Sequence, residues 1–559
     1  MNRRRGLTAA LLLVLLALAA AWPLCRFMSE AAARGKLSDK QRAVAQALEA
    51  QTAYEALGTG DAVLPLIEVE DAWAIEDTRE EAQEPLVAAM YSGADALGCD
   101  AQSRTFYCTL GLAHEDWPGI ALTARGASGV QVAWIDDYSY DFLSDALSEG
   151  YRYELLAYTD TQYEYIGVVF TGLPIVTLHA QETIGETYVP ARMTLSAAGT
   201  EALDSAALVH TRGGGYVPED GKPSYRVELE GLNSKGHAAQ RETALLGMPA
   251  DSDWLLIGNA SDSTRVTNHL AWDMWRRWNP DGDAINLLES RLVEVFVGDE
   301  YMGLYQLMQP IDVERELVRM GGNPDTDVCM RVIAEMNIED RPHADLRELC
   351  GMITELRSKP RFMTDEEAMA VLEPFFLMNA SPELGYDDAA FERAVMEHMD
   401  IPSAMSYFAF SQVMSFGWDN VFNNVYLWAL RRDGQTRIDL SPWDMDKAFR
   451  PVIYGKEDGF GEYSVQFMRM LNQDVGGCRA VLWDIWREKL TWMTDDWIYQ
   501  WFMDVEEEVN ASGAYRRDML RWTGEERQLN LAGYAAYTIG HRNLVTFTMS
   551  EIWPEQDAQ

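Results

Sequence analysis

Basic residues are scarce in this chain: 46 Lys and Arg stand against 88 Asp and Glu over 559 residues, for a net charge of -42. That surplus repels phosphate backbones and leaves no basic stripe, which argues against DNA and RNA as partners. Most of the carboxylates are expected to be simply solvated. Six cysteines without a CxxC pair exclude a zinc ribbon. Eight scattered histidines offer no zinc set either, since His114-Glu115 lacks the second histidine four residues on. There is no Walker A sequence, no dinucleotide-binding glycine fingerprint and no GxSxG nucleophile elbow, so the commonest nucleotide-binding and hydrolase classes fall away. The stretch Asn279-Pro280-Asp281-Gly282-Asp283 has the acids of a calcium loop. Its glycine is misplaced and the bidentate glutamate is missing, so it reads as a turn between a helix and a strand. Internal repeats and low-complexity tracts are absent as well.

Long apolar runs are missing except at the N-terminus, where Arg3-Arg4-Arg5 precede an almost unbroken stretch from Leu7 to Leu24. Its length lies between a signal-peptide core and a short membrane span. Positive charge stays on the cytoplasmic side, so both readings export everything that follows. Trp22-Pro23-Leu24 is too bulky for lipoprotein cleavage at Cys25. A single-pass signal anchor with extracytoplasmic C-terminal domains is the first expectation, and a secreted chain cleaved after the Ala-rich stretch is the alternative. Among the other cysteines, Cys99 and Cys108 flank a turn and could bridge a hairpin, Cys329 and Cys350 are a second pair, and Cys478 is left over. Buried reduced thiols are an equal reading.

What is present divides the chain into four parts. Residues 1–28 are the anchor or signal peptide, and 29–60 have the composition and spacing of a helical stalk. Residues 61–171 hold short alternating runs such as Thr105–Leu110, Gly129–Trp134 and Tyr151–Leu156 between Gly, Asp and Pro turns, which predicts a small β-rich, sandwich-like accessory domain. In 172–559 strands are expected at 174–178, 225–229, 290–296 and 301–308, with helices at 263–278, 365–378, 402–416 and from about 480 onward. That order predicts an α+β domain with a cleft where the strand-rich and helical halves meet.

The chemistry concentrates in Phe416–Trp428 and in Asp439-Leu440-Ser441-Pro442-Trp443-Asp444-Met445-Asp446, joined by a hairpin-like Arg431-Arg432-Asp433-Gly434. Carboxylates and amides in an aromatic setting are costly to bury unless they bind something. Phosphoryl transfer supplies a reason: one carboxylate orients the attacking hydroxyl, an amide and a carboxylate hold Mg²⁺, and a cation meets the phosphates. Asp419 and Asn424 stand in the D-x4-N spacing of a kinase catalytic loop. Asp444 or Asp446 then takes the place of the metal-binding aspartate. This spacing is common by chance, and a metal-dependent hydrolase could use the same acids with water as nucleophile.

The surrounding motifs are more specific. Gly172–Val176, Thr211-Arg212-Gly213-Gly214, Lys222–Leu229, Leu245-Leu246-Gly247-Met248, Asp253-Trp254-Leu255-Leu256, Asp262–Asn268, Tyr301-Met302-Gly303-Leu304-Tyr305 and the Asp419 and Trp443 segments follow one another as in the CotH (spore coat protein H-like) kinase family, which the chain resembles over most of 172–450. The resemblance implies an atypical, two-lobed protein-kinase-like domain using ATP and Mg²⁺, with an envelope or spore-coat protein as substrate. It makes Asp419 the catalytic carboxylate, Asn424 and Asp446 metal ligands with Asp444 in competition, and Lys222 and Arg265 the phosphate contacts. Two positions depart from the pattern: Gln309 stands where the family has a glutamate in its nucleotide site, and Arg212-Gly213-Gly214-Gly215 lacks the usual serine. A neutral amide pairs less well with a lysine or Mg²⁺, so a pseudokinase serving as a surface or coat scaffold is the alternative.

Overall fold

The computed structural model describes residues 64–554, apart from 94, 111–121, 136–142, 201, 213–220, 233–237, 283, 324, 333–353, 378–386, 416–423, 433 and 451–464. The expected stalk and the run from Leu7 to Leu24 lie outside the described residues. No described helix is long and apolar enough to cross a membrane.

The alternating runs of the first part pair into a seven-stranded sheet. Its main path is Leu66–Ile67, Gln131–Ile135, Arg152–Tyr158, Gln162–Thr171, Thr105–Thr109 and Gly98–Asp100, with Glu80–Glu81 beside Gln162–Thr171. Arg152–Tyr158 and Gln162–Thr171 form an antiparallel hairpin, but the latter also pairs in parallel with Thr105–Thr109 and Glu80–Glu81. The sheet of this β-rich part is therefore mixed. Parallel neighbours need crossovers, which the local pattern does not reveal. A three-stranded sheet of Asp95–Ala96, Val87–Ser92 and Leu122–Gly126 shares its core, burying Met90 and Leu122 with Phe106, Trp134 and Leu155. Cys99 lies opposite Phe106 rather than Cys108, so the hairpin bridge does not form. Cys99, Cys108, Cys329 and Cys478 are free thiols, and burial pushes the first two up to about 12. Cys350 lies outside the described residues.

The second large sheet closes on itself. In order it runs Leu203–Arg212, Val189–Ser196, Ile175–Ala180, Ser290–Val297, Glu300–Met308, Asp253–Ile257, Ser224–Leu232 and Ala238–Gln240. Leu203–Arg212 pairs again with Ser224–Leu232, completing a seven-strand ring with Ala238–Gln240 appended. Side chains of a strand alternate between faces. Val227, Leu229, Val293, Val295, Tyr305 and Leu307 accordingly share one core, while Leu255, Leu292, Leu304 and Met308 join another. That second core takes in the helix Thr267–Trp278, which buries Leu270, Trp272, Met274, Trp275 and Trp278.

A four-stranded antiparallel sheet follows: Thr354–Ser358, Val328–Val332, Val425–Arg432 and Gln435–Pro442. The helix Ile401–Met414 packs on it, with Asp400 capping its N-terminus through Ser403 N and proline in its first turn. The helices Cys478–Leu490, Asp495–Ala511, Ala514–Thr523 and Ala532–Ile552 complete a mixed α+β protein.

Candidate functional site

The hairpin of Val425–Arg432 and Gln435–Pro442 delivers the candidate acids to one end of the four-stranded sheet. Val425 pairs with Pro442, and just beyond that pair Trp443 N donates to Asn424 O at 2.9 Å. Asp444 and Asp446 stand in a turn after the hairpin, because its second strand ends at Pro442. Asn424 (φ 53°) and Asp444 (φ 56°) both adopt the left-handed conformation. Asn and Asp tolerate it better than other residues with a Cβ, but it remains an uncommon state that surrounding contacts must hold. Asp444 is exposed, and Asp446 and Asn424 are half-buried. Ser261 Oγ donates to Asp446 Oδ2 at 2.6 Å, and Arg450 donates to the Asp446 carbonyl.

Besides Arg450, a cation beside this turn is Arg212, at the end of the barrel strand Leu203–Arg212. Its guanidinium lies over the Trp443 ring, 5.5 Å from the centroid, and Trp443 in turn packs edge-on to Trp272 and Tyr426. Burial pulls Arg212 below its ordinary range, while the Asp444 carboxylate works in the opposite direction. Sequence reasoning quoted Arg212 within a motif but gave it no role. The signal available was its place before Gly213-Gly214-Gly215, a run suited to close approach by a ligand.

Lys222 and Arg265 come together, on a partner the sequence did not disclose. Lys222 Nζ bonds Asp518 Oδ1 and donates to Leu304 O at 2.6 Å, and it sits over the Tyr305 ring. Arg265 Nε reaches Asp518 Oδ2 at 2.9 Å, and its Nη1 meets Asn259 O and Ala260 O. Leu304 N donates to Asp518 Oδ1 at 3.0 Å. Both Asp518 and the Lys222 side chain are fully buried. Gly303, the glycine of Tyr301-Met302-Gly303-Leu304-Tyr305, has φ 99°, and a Cβ there would collide with the Asp518 carboxylate. That motif glycine was the one sequence-level sign that something approaches closely.

Gln309 has a different neighbourhood. Its Nε2 donates to Pro249 O and to Asp251 Oδ2, both at 3.1 Å, and the same Asp251 oxygen takes Arg315 at 2.7 Å. Asp419 lies outside the described residues. A 520 Å³ cavity elsewhere, lined by Ser92, Asp95, Tyr107, Thr109, Thr177 and Thr194 among others, offers a polyphosphate no cation.

Asn424, Asp444 and Asp446 present only oxygen donors, the chemistry that Mg²⁺ takes and zinc does not favour. No group of three or more His, Cys, Asp or Glu able to hold a metal occurs among the described residues. A site of two carboxylates and an amide fits Mg²⁺ that shares its remaining positions with phosphate and water. An oxygen-donor turn beside a half-buried arginine stands at the end of the four-stranded sheet of a mixed α+β protein. Residues 209–492 match the family model described as CotH kinase protein, and the chain belongs to that family. No curated protein matches the chain.

Proposed function

We propose that the chain is an atypical protein kinase of CotH type, passing the γ-phosphoryl group of ATP to Ser or Thr hydroxyls of an envelope or coat protein. The observation that carries this reading is the pair of left-handed residues, Asn424 and Asp444, brought side by side by the Trp443–Asn424 bond next to Arg212. Such conformations persist only where the surrounding structure holds them, and they cluster at functional sites. Asn424, Asp446 and Asp444 would hold Mg²⁺, which supplies charge neutralisation of the phosphates when bound. Arg212 offers a guanidinium fork suited to phosphate oxygens. Asp419, by family resemblance, accepts the hydroxyl proton. Lys222 and Arg265, carried over as phosphate contacts, share Asp518, which sets the geometry of the barrel mouth they belong to.

The scaffold alternative rested on Gln309 and on the missing serine after Arg212. An amide is the right group between a carbonyl and the Asp251 carboxylate, where a glutamate would be repelled, and Lys222 already has an acid in Asp518. Neutrality at 309 therefore does not weigh against activity. The N-terminal run is proposed to anchor the protein in the cell membrane with these domains outside the cytoplasm.

The test is Mg²⁺-ATP binding to the full chain in detergent, followed by thermal shift, with radiolabelled ATP to detect autophosphorylation. Binding, with labelling that Asp419→Ala and Asp444→Asn abolish, is the expected result. Absence of a thermal shift at millimolar nucleotide sinks the reading. Binding without labelling of the chain or of any envelope fraction supports the scaffold.

A further inference from the structure

We propose that Asn268 is a positioning residue for this centre, fixing the turn that carries Asp444 and Asp446 through the Met445 amide; the proposal rests on the phosphoryl-transfer reading above. Asn268 Oδ1 accepts from Met445 N at 2.9 Å, and its Nδ2 donates to Gln306 Oε1 at 2.8 Å. Both ends of the amide are thereby assigned, so the side chain has one orientation. Met445 is the residue between the two aspartates, and its N–H belongs to the peptide that follows the left-handed Asp444. Swinging Asp444 back to an ordinary conformation rotates that peptide and breaks the bond to Asn268. The clamp and the unusual backbone are one arrangement.

The clamp is backed by rigid parts. Gln306 is fully buried in the strand Glu300–Met308, between Leu292 on one side and Ile257 on the other. Its Nε2 has no hydrogen-bond partner among the described residues. An unmatched buried amide is unfavourable, so the residue is explained by its oxygen, which holds Asn268. Asn268 itself sits in the first turn of the helix Thr267–Trp278. There Asp262 accepts from Thr264 N at 3.0 Å and Thr267 N at 2.8 Å, fixing the helix start. Ser261, just before Asp262, supplies the second contact, to Asp446 Oδ2. The segment from Ser261 to Asn268 therefore grips both aspartates of the turn, one through its side chain and both through the peptide between them.

Groups behind metal ligands set affinity by holding the ligands in place, and their loss commonly costs about 10- to 100-fold in metal binding. The experiment measures Mn²⁺ affinity of the full chain by electron paramagnetic resonance in the presence of a non-hydrolysable ATP analogue, well below the melting temperature. Three variants are compared: Asn268→Ala, Asn268→Asp, which keeps the acceptor for Met445, and Gln306→Leu, which removes the support and leaves Asn268. The expected result is a rise in the Mn²⁺ dissociation constant of at least about tenfold for Asn268→Ala, a smaller rise for Gln306→Leu, and recovery toward wild type for Asn268→Asp. Wild-type affinity in Asn268→Ala, at any melting temperature, overturns the proposal. If Asn268→Ala does not fold, wild-type affinity in a folded Gln306→Leu overturns it instead. Should the wild-type chain bind no Mn²⁺ with nucleotide, it is the phosphoryl-transfer reading that fails.

Discussion

At the scale of single residues, the most informative positions are those whose partner lies far away in sequence. Gln309 reads, in sequence, as a lost acid; in the fold it donates to Pro249 and Asp251. Gln309→Glu should therefore lower the melting temperature by setting two carboxylates against each other, and leave nucleotide binding no tighter, as differential scanning fluorimetry with and without Mg²⁺-ATP would show. Asp439 makes a second case. It is 4% exposed, Arg432 holds one of its oxygens at 3.0 Å, and burial raises its carboxyl to about 6. A raised carboxyl takes up a proton on folding, so its contribution to stability is lost as pH rises from about 4 through about 6 and stays lost above. Asp439→Asn removes that dependence, and its stability relative to wild type should climb by up to about 3 kcal/mol across this window. Chemical denaturation at pH 4.5 and 7.5 would check it; an unchanged difference contradicts the assignment. Motif similarity singled out Lys222 and Arg265, and the fold brings both onto one buried carboxylate. It could not name Asp518, 296 residues from Lys222, because no local pattern records such a pairing.

At the scale of elements, alternation and periodicity made some strands and helices legible: Thr105–Thr109, Arg152–Tyr158, Ser290–Val297, Glu300–Met308 and Ile401–Met414 lie within a residue or two of their expected places. Closure of the barrel was hidden. It depends on Ile175–Ala180 lying parallel to Ser290–Val297 across more than a hundred residues, and a strand's neighbours are not written in its own sequence. The turn at Asp444 was hidden too, since a left-handed aspartate looks like any other in a one-letter string. Arg265 also has positive φ, at 63°, an unusual state for a long side chain, and Asp518 and Asn259 hold it there. Asp518→Ala would leave Lys222 and Arg265 as buried cations without their carboxylate. The expected loss is about 3–5 kcal/mol in equilibrium unfolding. Gly303→Ala should fall in the same direction, because its Cβ and the carboxylate cannot coexist and the backbone there suits only glycine.

At the scale of the whole molecule, the accessory sheet and the barrel meet through aromatic rings. Tyr107 stacks on Tyr301 at 5.1 Å and meets Phe296 edge-on at 5.0 Å. The C-terminal helices bind the same region: Arg517 pairs with the buried Glu294 at 2.8 Å, and Arg516 Nη1 donates to Glu149 O at 2.7 Å. These three parts should unfold together. Tyr107→Ala, which empties the junction, should cost about 3–5 kcal/mol and split one calorimetric transition into two; a single transition shifted as a unit would show the junction to be dispensable.

The helix Ala514–Thr523 lies beyond residue 492, where the family match stops, yet it contributes the carboxylate under the barrel mouth and the arginine on Glu294. Similarity thus marks a boundary that the molecule does not observe. A chain ended at 492 would expose the groove that this helix fills and strand two positive charges in an apolar interior. Such a fragment is expected to aggregate on expression, whereas one reaching past Ile552 keeps its solubility. The indivisible unit here is drawn by electrostatics in the folded state, and its last essential charge comes from a stretch that family resemblance leaves out.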